Sequence, residues 1–502
     1  MGLIKIQTVM NTELGKRCIL SRPPEPPHQF VLNDLTSALY IGNTKIFGVP
    51  FTWSLYNVTN PHICVVGITG AGKSFFVKTF LLRASYIWNT NAVIIDWAGE
   101  YKAWVKQAGG IIVELGKGAY LNIMDLGGMR PLDRTKQIMT SLQILTDIAE
   151  FPEQMRLTEE AIEQTYLNAG FRLAERPDQN KDAPTLKNVI ALLQERLQEG
   201  NYPYPAELEN AIYRLRQFAR EGEDFFARKS TIDIGSLTTS GLVDIDLSGL
   251  PDEKFRALAS LFILQTLKER MRMEGWSSEK GIKTFVVLDE AWKVASDDRS
   301  DAITIIREGR KYQFGLIVAS QNPTDINETI FSNVGTNIIL RVRFERFLDY
   351  IQGSLNFSEF MRREISKFGV GQAAVNMSFQ TNIQFPDTFL LNKVVGEVPL
   401  DTYSFNITSI LSNDELASGT IEKEFIFEKP DLTAMFININ FSTDIIDSIF
   451  KALDAKGREV DIKDLATTLL GIGVSKENIT NLLRNFGMPD FLISRMFMQL
   501  GV

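Results

Sequence analysis

The chain has 502 residues, 61 of them acidic and 53 basic, for a formal net charge of −8. That length exceeds what one hydrophobic core supports and predicts two or three structural units. The acidic balance excludes a generally basic surface, although a locally basic groove would be hidden in the sum. No apolar run reaches the roughly 18 residues of a membrane span, and no signal-peptide core follows the N-terminus. Two cysteines (Cys18, Cys64) and two histidines (His28, His62) build neither a disulfide framework nor a metal site, so a reducing cytoplasm is the expected compartment.

Residues 1–30 are polar and Pro-rich and read as an arm. From 31 to 131 short strands lead into and out of CVVGITGAGKSFFVKTFL, an apolar strand, a glycine turn and an apolar-periodic helix. Gly67, Gly70, Gly72, Lys73 and Ser74 fill the G-x-x-x-x-G-K-[ST] phosphate-loop pattern in its required strand–loop–helix setting. Glycines let successive N–H groups converge on one anion, and the helix presents its positive end to it. Gly67, Thr69, Gly70, Ala71, Gly72, Lys73, Ser74 and Phe75 are thus the expected nucleotide contacts. Lys73 is the side chain for the β- and γ-phosphates of ATP, and the Ser74 hydroxyl is a ligand for Mg²⁺.

Strands follow at Val93–Asp96 and Ile111–Leu115, and GKGAYLNIMDLGG reads as a loop. Helical periodicity without a strand then runs from about 132 to 230, broken at Phe151-Pro152, Arg176-Pro177 and Tyr202–Pro205. An inserted all-α subdomain is the expected reading, with lengthened crossover helices as the other. Between 231 and 395 apolar strands alternate with helices, the pattern of a mostly parallel sheet covered by helices. Residues 396–440 read as a connecting segment and 441–502 as a small C-terminal helical module with seven basic and eight acidic residues.

FVVLDEAW puts Asp289 and Glu290 at the end of a buried strand, where open α/β sheets bind ligands. Asp289 is the expected second Mg²⁺ ligand, and Glu290 the group that polarises the attacking water. A nucleotide binder without turnover needs only the first acid. Gln321, after the next strand, either senses the γ-phosphate or simply ends the strand. IIREGRKYQFG offers Arg307 and Arg310, i and i+3 on an expected helix around 303–311. Arginine suits a transition-state phosphate, but spacing alone equally fits a solvated face paired with Glu308. Asp96 and Glu100 in IIDWAGEY either serve the nucleotide or cap the next helix.

Taken together, GITGAGKS, IIDWAGEY, FVVLDEAW, REGRKYQFGLIVASQ and NPTDINETIFSNVGTNIILRV resemble the HerA/FtsK branch of RecA-like ATPases. The likeness covers residues 60–385, most of the chain. DEAW, GGIIVELGKGAYLNIMDL and LTEEAIEQTYLNAGF are more similar to the TraC-like motor ATPases of conjugation and type IV secretion. The resemblance implies an α/β fold with a RecA-like P-loop core, and a homohexamer with ATP and Mg²⁺ bound between subunits. It matches Lys73, Ser74, Asp289, Glu290 and Gln321 to the family's catalytic positions, and makes Arg310, or Arg307, a finger reaching the neighbour's nucleotide.

By that likeness the expected function is a DNA-translocating ATPase, single- or double-stranded DNA being its substrate, in a conjugation, secretion or DNA-import system. Its partners would then be DNA and a membrane-embedded channel or secretion complex, with the protein cytoplasmic or peripheral at the inner membrane face. One alternative is a secretion or pilus assembly ATPase acting on proteins, and another a HerA-type DNA-end-processing translocase. Basic clusters for DNA lie at Lys268, Arg270 and Arg272, at Arg341, Arg343 and Arg346, and at Arg362, Arg363 and Lys367, each also explicable as a paired or solvated face.

Overall fold

The computed structural model describes residues 38–45, 48, 50–55, 58–177, 181–200, 202–277, 281–290, 301–378, 388–392, 402–407, 409–412, 424–439, 441–457, 459–486, 488 and 490–501. The expected N-terminal arm, with Cys18 and His28, lies outside them, as do Ala291 and Trp292. In chain order the strands begin with β1 (Leu39–Thr44), β2 (Pro50–Trp53), β3 (Ile63–Val66), β4 (Asn91–Asp96) and β5 (Ile111–Glu114). After the helical stretch come β6 (Leu242–Asp246), β7 (Thr284–Asp289), β8 (Phe314–Ser320), β9 (Thr336–Ile339) and β10 (Ala373–Met377). The last four are β11 (Thr388–Asn392), β12 (Thr402–Asn406), β13 (Glu424–Glu428) and β14 (Glu459–Asp461). The chain divides into two compact units, one holding residues up to 89, 321–324 and 334 onward, the other 90–320 and 325–333.

In the first unit the strands run in the order β2-β1-β11-β10-β9-β3. β3 and β9 pair in parallel, and the pairs from β9 to β2 are antiparallel. β3 is ICVV, buried throughout, and burial pushes its Cys64 thiol far above the usual range. The helix Lys73–Trp88 buries Phe76, Val77, Phe80, Leu81 and Ala84. Trp53 of β2 meets Phe80 edge-on at 5.3 Å and donates its indole N–H to Thr336 Oγ1 at 2.8 Å. One helix thus ties the phosphate loop to three strands.

The same unit carries the C-terminal module. Strands in the order β13-β12-β14 share one apolar cluster with the helices Lys429–Asn438, Thr443–Lys456, Ile462–Gly471, Lys476–Asn485 and Asp490–Leu500. Phe427 and Phe486 stack at 4.5 Å inside it, and Phe427 also meets Tyr86 of the phosphate-loop helix at 5.0 Å. Within the stretch expected as a connector, Thr402–Asn406 and Glu424–Glu428 form two strands of the module's sheet, and Phe405 and Phe427 pack in the core with the helices.

In the second unit five parallel strands run β8-β7-β4-β6-β5. β6, β7 and β8 are buried along their whole length, as strands covered on both faces must be. Four helices lie in the connection from β5 to β6: Pro131–Leu145, Pro152–Asn168, Leu186–Gln198 and Pro205–Arg216. Proline opens three of them, where its missing N–H costs nothing, and Thr185 with Asn188 forms a capping box on the fourth. The first packs on the core helix Glu253–Glu274, with Gln265 donating to Ser141 Oγ at 2.9 Å, while the other three pack on one another. No described helix is long and apolar enough to cross a membrane.

Candidate active site

The first unit builds a candidate anion cradle out of backbone. Leu340 N–H donates to Val66 O at 2.7 Å and Ile68 N–H to Arg341 O at 2.9 Å, so the loop leaves β3 pressed against the chain beyond β9. Gly67 has no room there for a side chain: a Cβ would lie 2.7 Å from Leu340 Cβ. Gly70 and Gly72 take φ of 74° and 108°, left-handed values that cost other residues about 1 kcal/mol or more. Gly72 is also the residue before the helix, so no side chain caps the first N–H groups, and no acid sits in the first turn. Those donors and the positive helix end are thereby kept for an anion. Lys73 is buried to 7% exposure, Ser74 is half-buried, and Thr69 and Phe75 are exposed.

Gln321 comes to this loop. Thr69 Oγ1 donates to its Oε1 at 2.5 Å, bringing a residue 252 positions away to the cradle. A further neighbour escaped the sequence reading. Gly371, with φ of 76°, donates its N–H to Ala71 O at 3.2 Å, so the turn before β10 braces the loop. The G-x-G of FGVGQ was its only signal, and that pattern alone is weak.

The second unit builds an acidic strand edge. In register across the parallel strands stand Glu114, Asp246, Asp96 and Asp289, each ending its own strand. Asp289 is 3% exposed. Glu290 follows with φ of 54°, one of four left-handed non-glycine residues among those described, and its N–H donates to Ala319 O at 3.0 Å. Holding a glutamate there costs about 1–3 kcal/mol, a strain that clusters at functional sites.

Asp96 is taken up by the turn that follows its strand. Its carboxylate accepts from the N–H groups of Ala98 at 3.2 Å, Gly99 at 2.8 Å and Tyr101 at 2.8 Å, closing the turn before the helix Lys102–Gln107. Burial pushes its acidity toward a higher pKa, and those backbone donors pull the other way. Glu100 is exposed. The turn delivers Tyr101, fully buried, whose phenol feels the charge of Asp289. Burial first, then the charges of Asp289 and Asp96, push that phenol well above its ordinary range. The sequence did not mark this neighbour of the acid.

The expected arginine helix differs. It ends at Glu308, and Gly309–Tyr312 is a 3₁₀ turn, because glycine is a poor helix former. Arg307 and Arg310 are both exposed but do not sit on one α-helix. Glu308 pairs with Arg272 at 3.1 Å. Lys268 pairs with Asp301 at 2.6 Å, and Arg362 with Asp349 at 2.8 Å, so much of two basic clusters is neutralised internally. Arg343 and Arg346 are exposed and make no ion pair among the described residues.

A glycine-built phosphate loop on one parallel strand and an acidic carboxyl edge on others define an α/β protein of the P-loop nucleotide-binding class. Residues 39–267 match the model of the central domain of helicase HerA. That stretch, a little under half of the chain, is similar to the HerA central domain. It is 25% identical over 365 residues to the DNA double-strand break repair helicase HerA of Pyrococcus furiosus, covering 62% of each chain. It is 21% identical over 359 residues to the DNA import protein CedB of Sulfolobus acidocaldarius, covering 68% of this chain and 54% of that one. The chain spans just over 60% of the length of the HerA relatives it matches. Among solved structures, VirB4 of Thermoanaerobacter pseudethanolicus superposes with a TM-score of 0.58 at 21% identity, covering 72% of this chain and 97% of that one. The conjugative coupling protein TrwB, lacking its first 70 residues, gives 0.50 at 13%, covering 70% and 89%. These superpositions show a shared fold.

Proposed function

We propose that the chain hydrolyses ATP and uses the energy to move DNA. The observation that carries the hydrolytic part is Glu290, a carboxylate directly after buried Asp289 and held in a costly left-handed backbone. A protein that only bound nucleotide would have no use for that expense. In this reading the backbone of Gly67–Gly72 binds the phosphates, and Lys73 neutralises the β- and γ-oxygens. Gln321, through Thr69, reports the state of the loop. Glu290 takes a proton from the attacking water.

Mg²⁺ fits the donors on hand. Among the described residues no three acidic, His or Cys side chains form a metal cage. Mg²⁺ does not ask for one, since it takes a hydroxyl, one or two carboxylates, water and substrate phosphates. Ser74 and Asp289 would hold it, and it would supply charge neutralisation at the phosphates.

DNA as the moved substrate is supported by the HerA and CedB relatives, and Arg343 and Arg346 are the cationic side chains best free to meet phosphates. A hexamer, Arg310 or Arg307 acting on a neighbouring subunit's nucleotide, and a place beside a membrane channel extend the same reading. The internal pairing of Lys268, Arg272 and Arg362 favours the second reading, an assembly ATPase working on protein partners. ATPase rates with and without single- and double-stranded DNA, at low and moderate salt, separate the two. DNA stimulation that fades with salt supports the motor, and DNA-independent rates with no binding sink it. Mixing Arg310→Ala with Lys73→Ala protein tests sharing between subunits: restored activity supports it, and none refutes it.

A further inference from the structure

At the root of the helical block lies a cavity of about 570 Å³, within the size range of small-molecule sites. Its walls come from the segment entering the block, the segment leaving it and the core helix Glu253–Glu274. The entering segment turns sharply at Leu126–Met129, closed by Met129 N–H to Leu126 O at 2.8 Å, with Gly127 and Gly128 both left-handed. A Cβ on Gly128 would fall 2.9 Å from Met273 Cε, so glycine keeps this wall open.

Arg134 lines the cavity and is wholly buried. Its guanidinium lies 4.7 Å from the Phe262 ring and donates only to neutral groups, Gln137 Oε1 at 3.0 Å and Thr266 Oγ1 at 3.4 Å. Its Nε has no acceptor, and it makes no ion pair among the described residues. Burial pushes its pKa down to about 10, which leaves it charged at neutral pH. A buried charge without a counter-ion costs several kcal/mol. Asp125 acts on Arg134 through space and makes no contact ion pair with it, its carboxylate being engaged by Asn122 Nδ2 at 3.2 Å. Lys181, Lys229 and Arg270 add cations to the lining, against three aspartates in all.

We propose that this cavity is a binding site for a small organic anion, carrying phosphate or carboxylate, with the buried Arg134 guanidinium as its anchor. Phe262 and Met273 would receive the carbon skeleton, and Lys181 and Arg270 the outer charge. Because both ends of the helical block line it, an occupant would stiffen the joint between block and sheet. No phosphate-loop residue lines the cavity, and the site does not depend on what that loop does.

The test uses the full chain labelled with [methyl-¹³C]methionine, the Met273 signal being identified with Met273→Leu. Inorganic phosphate, AMP and citrate are titrated separately at constant ionic strength without Mg²⁺, to about 20 mM, a range that detects millimolar binding. The expected result is a saturable Met273 shift, from phosphate and AMP if the site takes phosphate, or from citrate if it takes carboxylate. Lys73→Ala should leave that shift unchanged, Arg134→Met should abolish it, and rim variant Lys181→Ala, which does not disturb the core, should weaken binding about fivefold. No saturable shift with any probe overturns the proposal. So does a shift that Lys73→Ala removes and Lys181→Ala leaves intact.

Discussion

The phosphate loop and the acidic strand edge do comparable jobs by opposite means. The loop is made by backbone conformation within eight consecutive residues, with glycine wherever φ is left-handed or a Cβ would clash. The edge is made by side chains from separate stretches, Asp96, Asp246 and Asp289, aligned only because β4, β6 and β7 pair in one register. A backbone-built site is compact in sequence and intolerant of any added atom. A register-built site is scattered, tolerates change between its members and fails at the residues that set orientation.

That contrast breaks most visibly at Glu290. Glu290→Gln should keep ATP binding while turnover falls about 10³-fold, the typical loss of a general base; single-turnover hydrolysis beside a nucleotide-binding titration checks it. Lys73→Ala should do the reverse and weaken ATP binding about 100-fold, as loss of charge-assisted hydrogen bonds to phosphate implies. Equal effects of the two variants on binding would erase the distinction.

Asp96→Ala tests the edge as architecture. Three N–H groups lose a carboxylate acceptor, one of them on buried Tyr101, which should cost about 3 kcal/mol in urea unfolding. Gly70→Ala tests the loop in the same currency. Nothing lies within 4 Å of its Cβ position, so only the left-handed φ is penalised, by about 1–2 kcal/mol. Tyr101→Phe should be mildest: with the buried phenol beside Asp289 lost, the Mg²⁺ needed for half-maximal ATPase should change by no more than about a few-fold, with maximal turnover nearly kept.

The phosphate loop, the five parallel strands and the four helices after β5 were legible because each depends on local pattern: glycine spacing, apolar runs, and proline at helix starts. Asp289 and Glu290 were legible because an acid pair ends an apolar strand. The arginine segment misled, since i,i+3 spacing presumes a helix and Gly309 ends it in a 3₁₀ turn. β12 and β13 lie in a stretch that looked like connector, because Phe405 and Phe427 find their packing partners only in helices farther along.

The sequence by itself determined the anion cradle, the candidate magnesium ligands and the likeness to the HerA/FtsK ATPases, all of which rest on residue identity at short range. The tertiary structure alone decided that Asp96 closes a turn, that Tyr101 is buried within reach of the Asp289 charge, that Gln321 meets Thr69, and that Arg134 is buried with no contact ion pair among the described residues. Each of these joins residues through strand register or helix packing. Such distances are set by the whole fold and leave no mark on local spacing.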